Sequence, residues 1–217
     1  NFNFLNHNNK KHFYLNFELT NKQLEFFNSI NKYIDGKSVL KVKFYEEDDN
    51  WNFDVDMNFY NSKINIPSIS YNKNNFEYSN LNLLGVLDNE FLLNDLIFYF
   101  KDMKNKVSGK VNFDNYEEFI DIYIENFIYD NNNFTAEIRY NYDENINVSI
   151  DSGTLNLDTF LNSNSKDNTN FDITAKLDNL ILFDEFYLQN SSLDYKYENN
   201  FLSYFNIYGN YFGKEIF

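Results

Sequence analysis

The 217-residue chain has no cysteine, so it can form neither a disulfide framework nor a thiolate metal site, and thiols say nothing about its redox compartment. Proline occurs once, at Pro67, and glycine only six times, too few for the many tight corners expected of a closed β-sandwich. No run of about 18 apolar residues is present, so the sequence contains no transmembrane helix. Basic residues are outnumbered 18 to 33 by acidic ones, and the net charge of -15 opposes both nucleic-acid binding and a polybasic membrane-surface role. Glycine-rich phosphate loops, a nucleophile elbow and paired-cysteine motifs are all missing.

Aromatic residues, by contrast, make up 20% of the chain, with 25 Phe and 18 Tyr, far more apolar area than a disordered segment could carry. The heavy use of Asn, Ile, Lys, Phe and Tyr also matches the codon bias of an AT-rich genome, so single Asn residues carry little weight. The pattern along the chain says more. Trp51, Phe53, Val55, Met57 and Phe59 alternate with Asn52, Asp54, Asp56 and Asn58, which predicts a strand with one apolar and one wet face. The same alternation starts at Leu40, Val42 and Phe44 and recurs over 63–70, 76–83, 95–101, 107–113, 119–127, 134–142 and 145–150. After Ser152-Gly153 it continues through Leu155 and Leu157, 171–177, 180–183, 186–188, 193–197 and 202–208. One helix is expected, from about Asn21 to Ile34, with Leu24, Phe27, Ile30 and Ile34 on one face, Thr20 or Asn21 as N-cap and Asp35-Gly36 as its stop. The expected fold class is therefore all-β: a long antiparallel sheet, curled into a groove, with one short helix near the start. Residues 1–217 read as one continuous segment of a larger protein, since Asn1-Phe2-Asn3 is neither a Met start nor signal-like.

Catalytic chemistry finds no foothold. His7 and His12 sit in an Asn- and Lys-rich stretch and read as solvated residues. Carboxylate pairs such as Asp54 with Asp56, or Glu117 with Glu118, are expected by chance among 33 acids. The run Glu46-Glu47-Asp48-Asp49-Asn50 lacks the alternating spacing and central Gly of a calcium loop and reads as a hairpin turn. Three Asn-x-Ser/Thr sequons, at Asn133, Asn147 and Asn190, are near the background of an Asn-rich chain. The expectation is a non-enzyme without cofactor or metal, acting through a surface or groove.

The C-terminal part carries a resemblance. Ser149-Ile-Asp-Ser-Gly-Thr-Leu-Asn-Leu-Asp-Thr-Phe-Leu161, followed by a polar loop and then Phe171-Asp-Ile-Thr-Ala-Lys-Leu-Asp-Asn-Leu-Ile-Leu182, resembles the bacterial AsmA-like family of bridge-like lipid transfer proteins. Phe186–Tyr197 and Phe201–Gly209 continue the same rhythm of apolar and small residues, so the likeness covers about 145–210. It implies a periplasmic segment of an inner-membrane-anchored Gram-negative envelope protein. There a hydrophobic groove guides phospholipid or another acyl lipid between inner and outer membranes, and membrane contact is made by parts outside this chain. The groove lining would then be Phe53, Val55, Met57, Phe98, Ile122, Ile124, Ile138, Val148, Leu157, Ile173 and Leu180. Two other readings stand beside it. One is a closed β-sandwich interaction or adhesive module, in which those residues are ordinary core. The other is an outer-membrane β-barrel, disfavoured because Gly209, Tyr211, Gly213 and Glu215 do not alternate properly toward Phe217.

Overall fold

The structure is a computed structural model that describes residues 2–7, 10–20, 23, 32–47, 50–67, 71–88, 90, 92–114, 119–141, 145–158, 170–182, 186–198 and 201–216. Strand is the dominant state throughout, as the period-two pattern requires. Two compact units divide the chain, Asn1–Asn105 and Lys106–Phe217, and within each the strands are side-by-side neighbours in an open sheet.

The first unit contains β1 (Phe2–His7), β2 (Lys10–Leu19), β3 (Ile34–Glu47), β4 (Asn50–Ile66), β5 (Tyr71–Lys73), β6 (Ser79–Leu87) and β7 (Leu93–Asp102). They pair antiparallel in the order β1-β2-β3-β4-β6-β7, with β5 added to the far end of β4. The second unit contains β8 (Lys106–Asp114), β9 (Phe119–Tyr129), β10 (Asn132–Asn141), β11 (Asn145–Asn156), β12 (Asn170–Leu182), β13 (Phe186–Glu198), β14 (Phe201–Tyr211) and β15 (Lys214–Ile216), in simple sequence order.

Three expectations change. The sheet is not wholly antiparallel, because β11 and β12 run parallel, Asn145 against Asn170 and Leu155 against Leu180, and such a pair needs a crossover that alternation cannot show. Several strands are longer than the pattern implied. Segments 145–150 and 155–157 are one strand except for Leu157, as are 171–177 with 180–182, and 186–188 with 193–197; likewise β4 runs unbroken from Asn50 to Ile66. Third, Ile34, Asp35 and Gly36 open β3 and do not end a helix. Most of the expected helix lies outside the described residues. The Thr20 N–H donates to Gln23 Oε1 at 3.0 Å, and the Gln23 N–H donates to the Thr20 backbone carbonyl at 2.9 Å.

The strands were misjudged because they cross a crease. In the second unit the register shifts at Ser108/Gly109, at Phe134/Ala136 and between Gln189 and Ser192, which the pairing places on one line across the sheet. On that line Asp151 has no partner in β10, and Gly153 and Asn190 take left-handed φ of 107° and 44°. Each extra residue bends its strand and exchanges the faces beyond it. Both arms of the bend thus feed one packed cluster. Ala136, Ile150, Ala175 and Leu193 come from one arm, and Phe134, Leu155, Leu157, Leu180 and Leu188 from the other.

Gly153 shows how tight the crease is. A Cβ there would lie 2.1 Å from the Asn133 carbonyl oxygen, whereas Gly213, also left-handed at 74°, faces open space. Gly153→Ala should therefore lower the unfolding free energy of this unit by roughly 2–4 kcal/mol, against about 1 kcal/mol for Gly213→Ala. Urea titration followed by tryptophan-independent circular dichroism checks the contrast, and equal losses would mean that the crease is not under steric constraint.

Candidate functional site

In each unit one face of the sheet is apolar from strand to strand. In the second, pairing aligns Val111, Ile122, Ile138, Val148, Ile173 and Tyr195 in one rung. The next rung toward the crease is Gly109, Ile124, Ala136, Ile150, Ala175 and Leu193. Expected lining residues Ile122, Ile138, Val148 and Ile173 thus stand side by side, with Ile124 one rung away. Burial rises steeply across these rungs. Ala136, Ile150, Ala175 and Leu193 are buried, whereas Ile122, Ile138, Val148, Ile173 and Tyr195 are only half-buried. Farther out, Phe113, Ile120, Tyr140, Ile146, Phe171 and Tyr197 are half-buried too. The face is sealed at the crease and open away from it.

The first unit follows the same plan. Phe13, Phe44, Phe53, Gly85 and Leu96 form one rung, and Leu15, Val42, Val55, Leu83 and Phe98 the next. Met57 follows between Leu40 and Leu81. Phe53, Val55, Met57 and Phe98 are therefore on one face, and every residue from Trp51 to Asn58, apolar or polar, is half-buried. A strand sealed between two sheets would show near-zero exposure on its apolar side. Gly85 has a packing role, because the Phe53 ring fills the place of its side chain and would come within 2.2 Å of a Cβ.

Leu157 and Leu180 are placed differently from the other expected residues. They lie within the packed cluster, Leu180 fully enclosed and Leu157 buried with 8% of its surface exposed. Parity reversal at the crease explains why their spacing matched the open rungs.

Sequence reasoning also missed a buried polar layer that ends the apolar face of the first unit. Lys73, 2% exposed, donates from Nζ to the carbonyls of Phe59 (2.7 Å), Ser62 (2.6 Å) and Asn74 (2.9 Å). Beside it Tyr71 Oη donates to Asp102 Oδ2 at 2.8 Å, and Ser38 Oγ lies 2.8 Å from Ser62 Oγ, whose proton goes to the Lys37 carbonyl. Burial pushes the Lys73 ammonium below its ordinary value, and the charges of Glu77 and Asp102 only partly oppose this. For Asp102, burial alone would raise the carboxyl, but hydrogen bonds from the Asn105 side chain, the Lys104 and Asn105 N–H groups and Tyr71 outweigh it and hold the group below its ordinary value. A lysine in a strand of alternating polarity gives no sign of this.

The wet faces carry the charges. Arg139 grips Asp121 through two bonds, of 2.7 and 3.0 Å, and its guanidinium lies 4.5 Å from the Phe119 ring centre. His12 stacks on Tyr45, with ring centres 6.2 Å apart. Among the described residues no group of three or more His, Asp or Glu side chains is spaced to hold a metal ion. No described helix is long and apolar enough to cross a membrane. The arrangement offers apolar contact area on one face of each unit.

Comparison with family models, curated proteins and solved structures gives no match.

The sealed end makes a prediction of its own. Asp102 has a lower pKa in the folded chain than in the unfolded one, so its contribution is complete above the unfolded value of about 3.9 and is lost as pH falls through the lower folded value. Asp102→Asn should be less stable than the parent at neutral pH, and the difference should shrink steadily as urea titrations are moved from about pH 6 to below about pH 3. A pH-independent difference would mean that the carboxylate charge is not what the layer uses.

Proposed function

We propose that this chain is a segment of a bridge-like lipid transport protein of the AsmA-like kind, whose apolar face guides phospholipid between the inner and outer membranes of a Gram-negative envelope. One observation carries the reading. Large apolar side chains, from Phe53, Val55 and Phe98 in one unit to Ile122, Ile138 and Ile173 in the other, stand in unbroken cross-strand rungs yet remain half-exposed.

An open apolar face in water is costly unless something apolar occupies it. An acyl chain does so without a specific polar contact, since each buried methylene gains about 0.8 kcal/mol. Laid across the strands, which are about 4.8 Å apart, such a chain meets the next rung residue at every step and can slide without losing contact. The headgroup stays in water, which fits a face that offers no cluster of cations. The closed sandwich is a poorer account, because within each unit the described strands all lie side by side in one sheet.

The test is native mass spectrometry with lipid extraction on the chain expressed in a Gram-negative periplasm. Phospholipid should co-purify with the parent and fall at least tenfold in Val55→Asp and Ile138→Asp variants that keep their strand signal by circular dichroism. A lipid-free parent that also fails to enhance an apolar fluorescent probe would rule out the conduit.

A further inference from the structure

The opposite, polar face of the second unit holds a hollow of about 480 Å³ that the lipid reading leaves unused. Its floor is two adjacent rungs, and Ile122, Ile138 and Val148, which lie between them along the strands, also line it. One is Tyr123, Glu137, Ser149 and Thr174, and the other Asp121, Arg139, Asn147 and Asp172. We propose that this hollow binds a neutral oligosaccharide of two or three rings.

Size is the first argument. Four strands at about 4.8 Å and two rungs at about 6.8 Å give a floor of roughly 14 by 7 Å, the footprint of a short glycan lying across the strands. Unused hydrogen-bonding capacity is the second. Glu137, Asn147, Ser149 and Thr174 make no side-chain hydrogen bond among the described residues, so a carboxylate, an amide and two hydroxyls are presented together. A sugar's neighbouring hydroxyls act as both donor and acceptor, and a planar carboxylate or amide meets two of them at once. Tyr123 adds an exposed ring at the edge of the array, on which the C–H face of a pyranose can rest.

Part of the charge at the floor is already paired within the protein, although the whole chain carries -15. Asp121 is already neutralised by Arg139, the chain's single arginine, while Asp172 stands opposite Lys196, whose ammonium is paired with Glu198 at 2.8 Å. Lys110 stands opposite Tyr123 on the neighbouring strand. The Arg139–Asp121 pair also stiffens the floor, because the bidentate bond and the Phe119 ring hold the guanidinium in place. The polar side chains of the site alternate along their strands with the apolar rung residues, so the proposal does not depend on the lipid reading.

Calorimetric titration of the full chain with maltotriose, cellotriose and chitotriose, with trilysine as a cationic control, tests it. At least one trisaccharide should bind saturably, Tyr123→Ala and Asn147→Ala should each weaken it by about tenfold or more, and Val55→Asp should leave it unchanged. Both substituted side chains are on the wet face, and unchanged circular dichroism confirms folding. Saturation by trilysine with no trisaccharide binding, no saturation by any of the four, or binding indifferent to both Tyr123→Ala and Asn147→Ala would overturn the assignment.

Discussion

A paired β-strand keeps its two faces distinct only while the ladder is unbroken, and a single inserted residue exchanges them. In the second unit such insertions fall on one line through successive strands, from Ser108/Gly109 to the Gln189–Ser192 step. Along that line β9, β11, β12 and β13 exchange faces while β10 keeps Phe134 and Ala136 on one face, and the sheet folds along a crease instead of fraying. The packed cluster, the gradient of burial and the open apolar rungs all follow from that alignment. A bulge in one strand alone would have set its side chains against its neighbours.

The first unit reaches the same end by different chemistry. Its left-handed Gly36 and the shift between Lys37 and Val39 bend the sheet, but the sealed end is filled by Ser38, Ser62, Lys73 and Asp102 as well as Ile34, Phe59 and Ile64. Such a layer tolerates burial because each charged member is bonded several times, Lys73 to three carbonyls and Asp102 to four donors. Apolar packing would adapt to a lost methylene more readily than this layer would adapt to a lost donor.

What the sequence disclosed, and what it concealed, has the same origin. Alternation from Trp51 to Phe59 was sufficient to place Phe53, Val55 and Met57 on one face, and similar runs placed Ile122, Ile138 and Ile173. Alternation is a local signal that survives to the next bulge. At the crease it changes phase, and Ser152-Gly153 or Asn190-Ser191-Ser192 then reads as a turn between short strands when it is a bend within a long one. Leu157 and Leu180 lie beyond the phase change, so apolar spacing alone could not separate them from the open rungs. Strand direction and the surroundings of Lys73 depend on partners distant in sequence, and no local pattern reports them.

The parallel pairing of β11 with β12 sets an order on assembly. On either side of it the strands are joined by short connections and can zip as successive hairpins, β8 through β11 and β12 through β15. Joining these two stacks requires Asn145 to find Asn170 at the same end of the sheet, across a crossover instead of a turn. Loop closure of that kind carries its entropy cost before any contact repays it. The cluster around Ala175 and Leu180 draws on both stacks, so it can form only when that junction does, and the slowest step of folding and the tightest part of the unit are the same place.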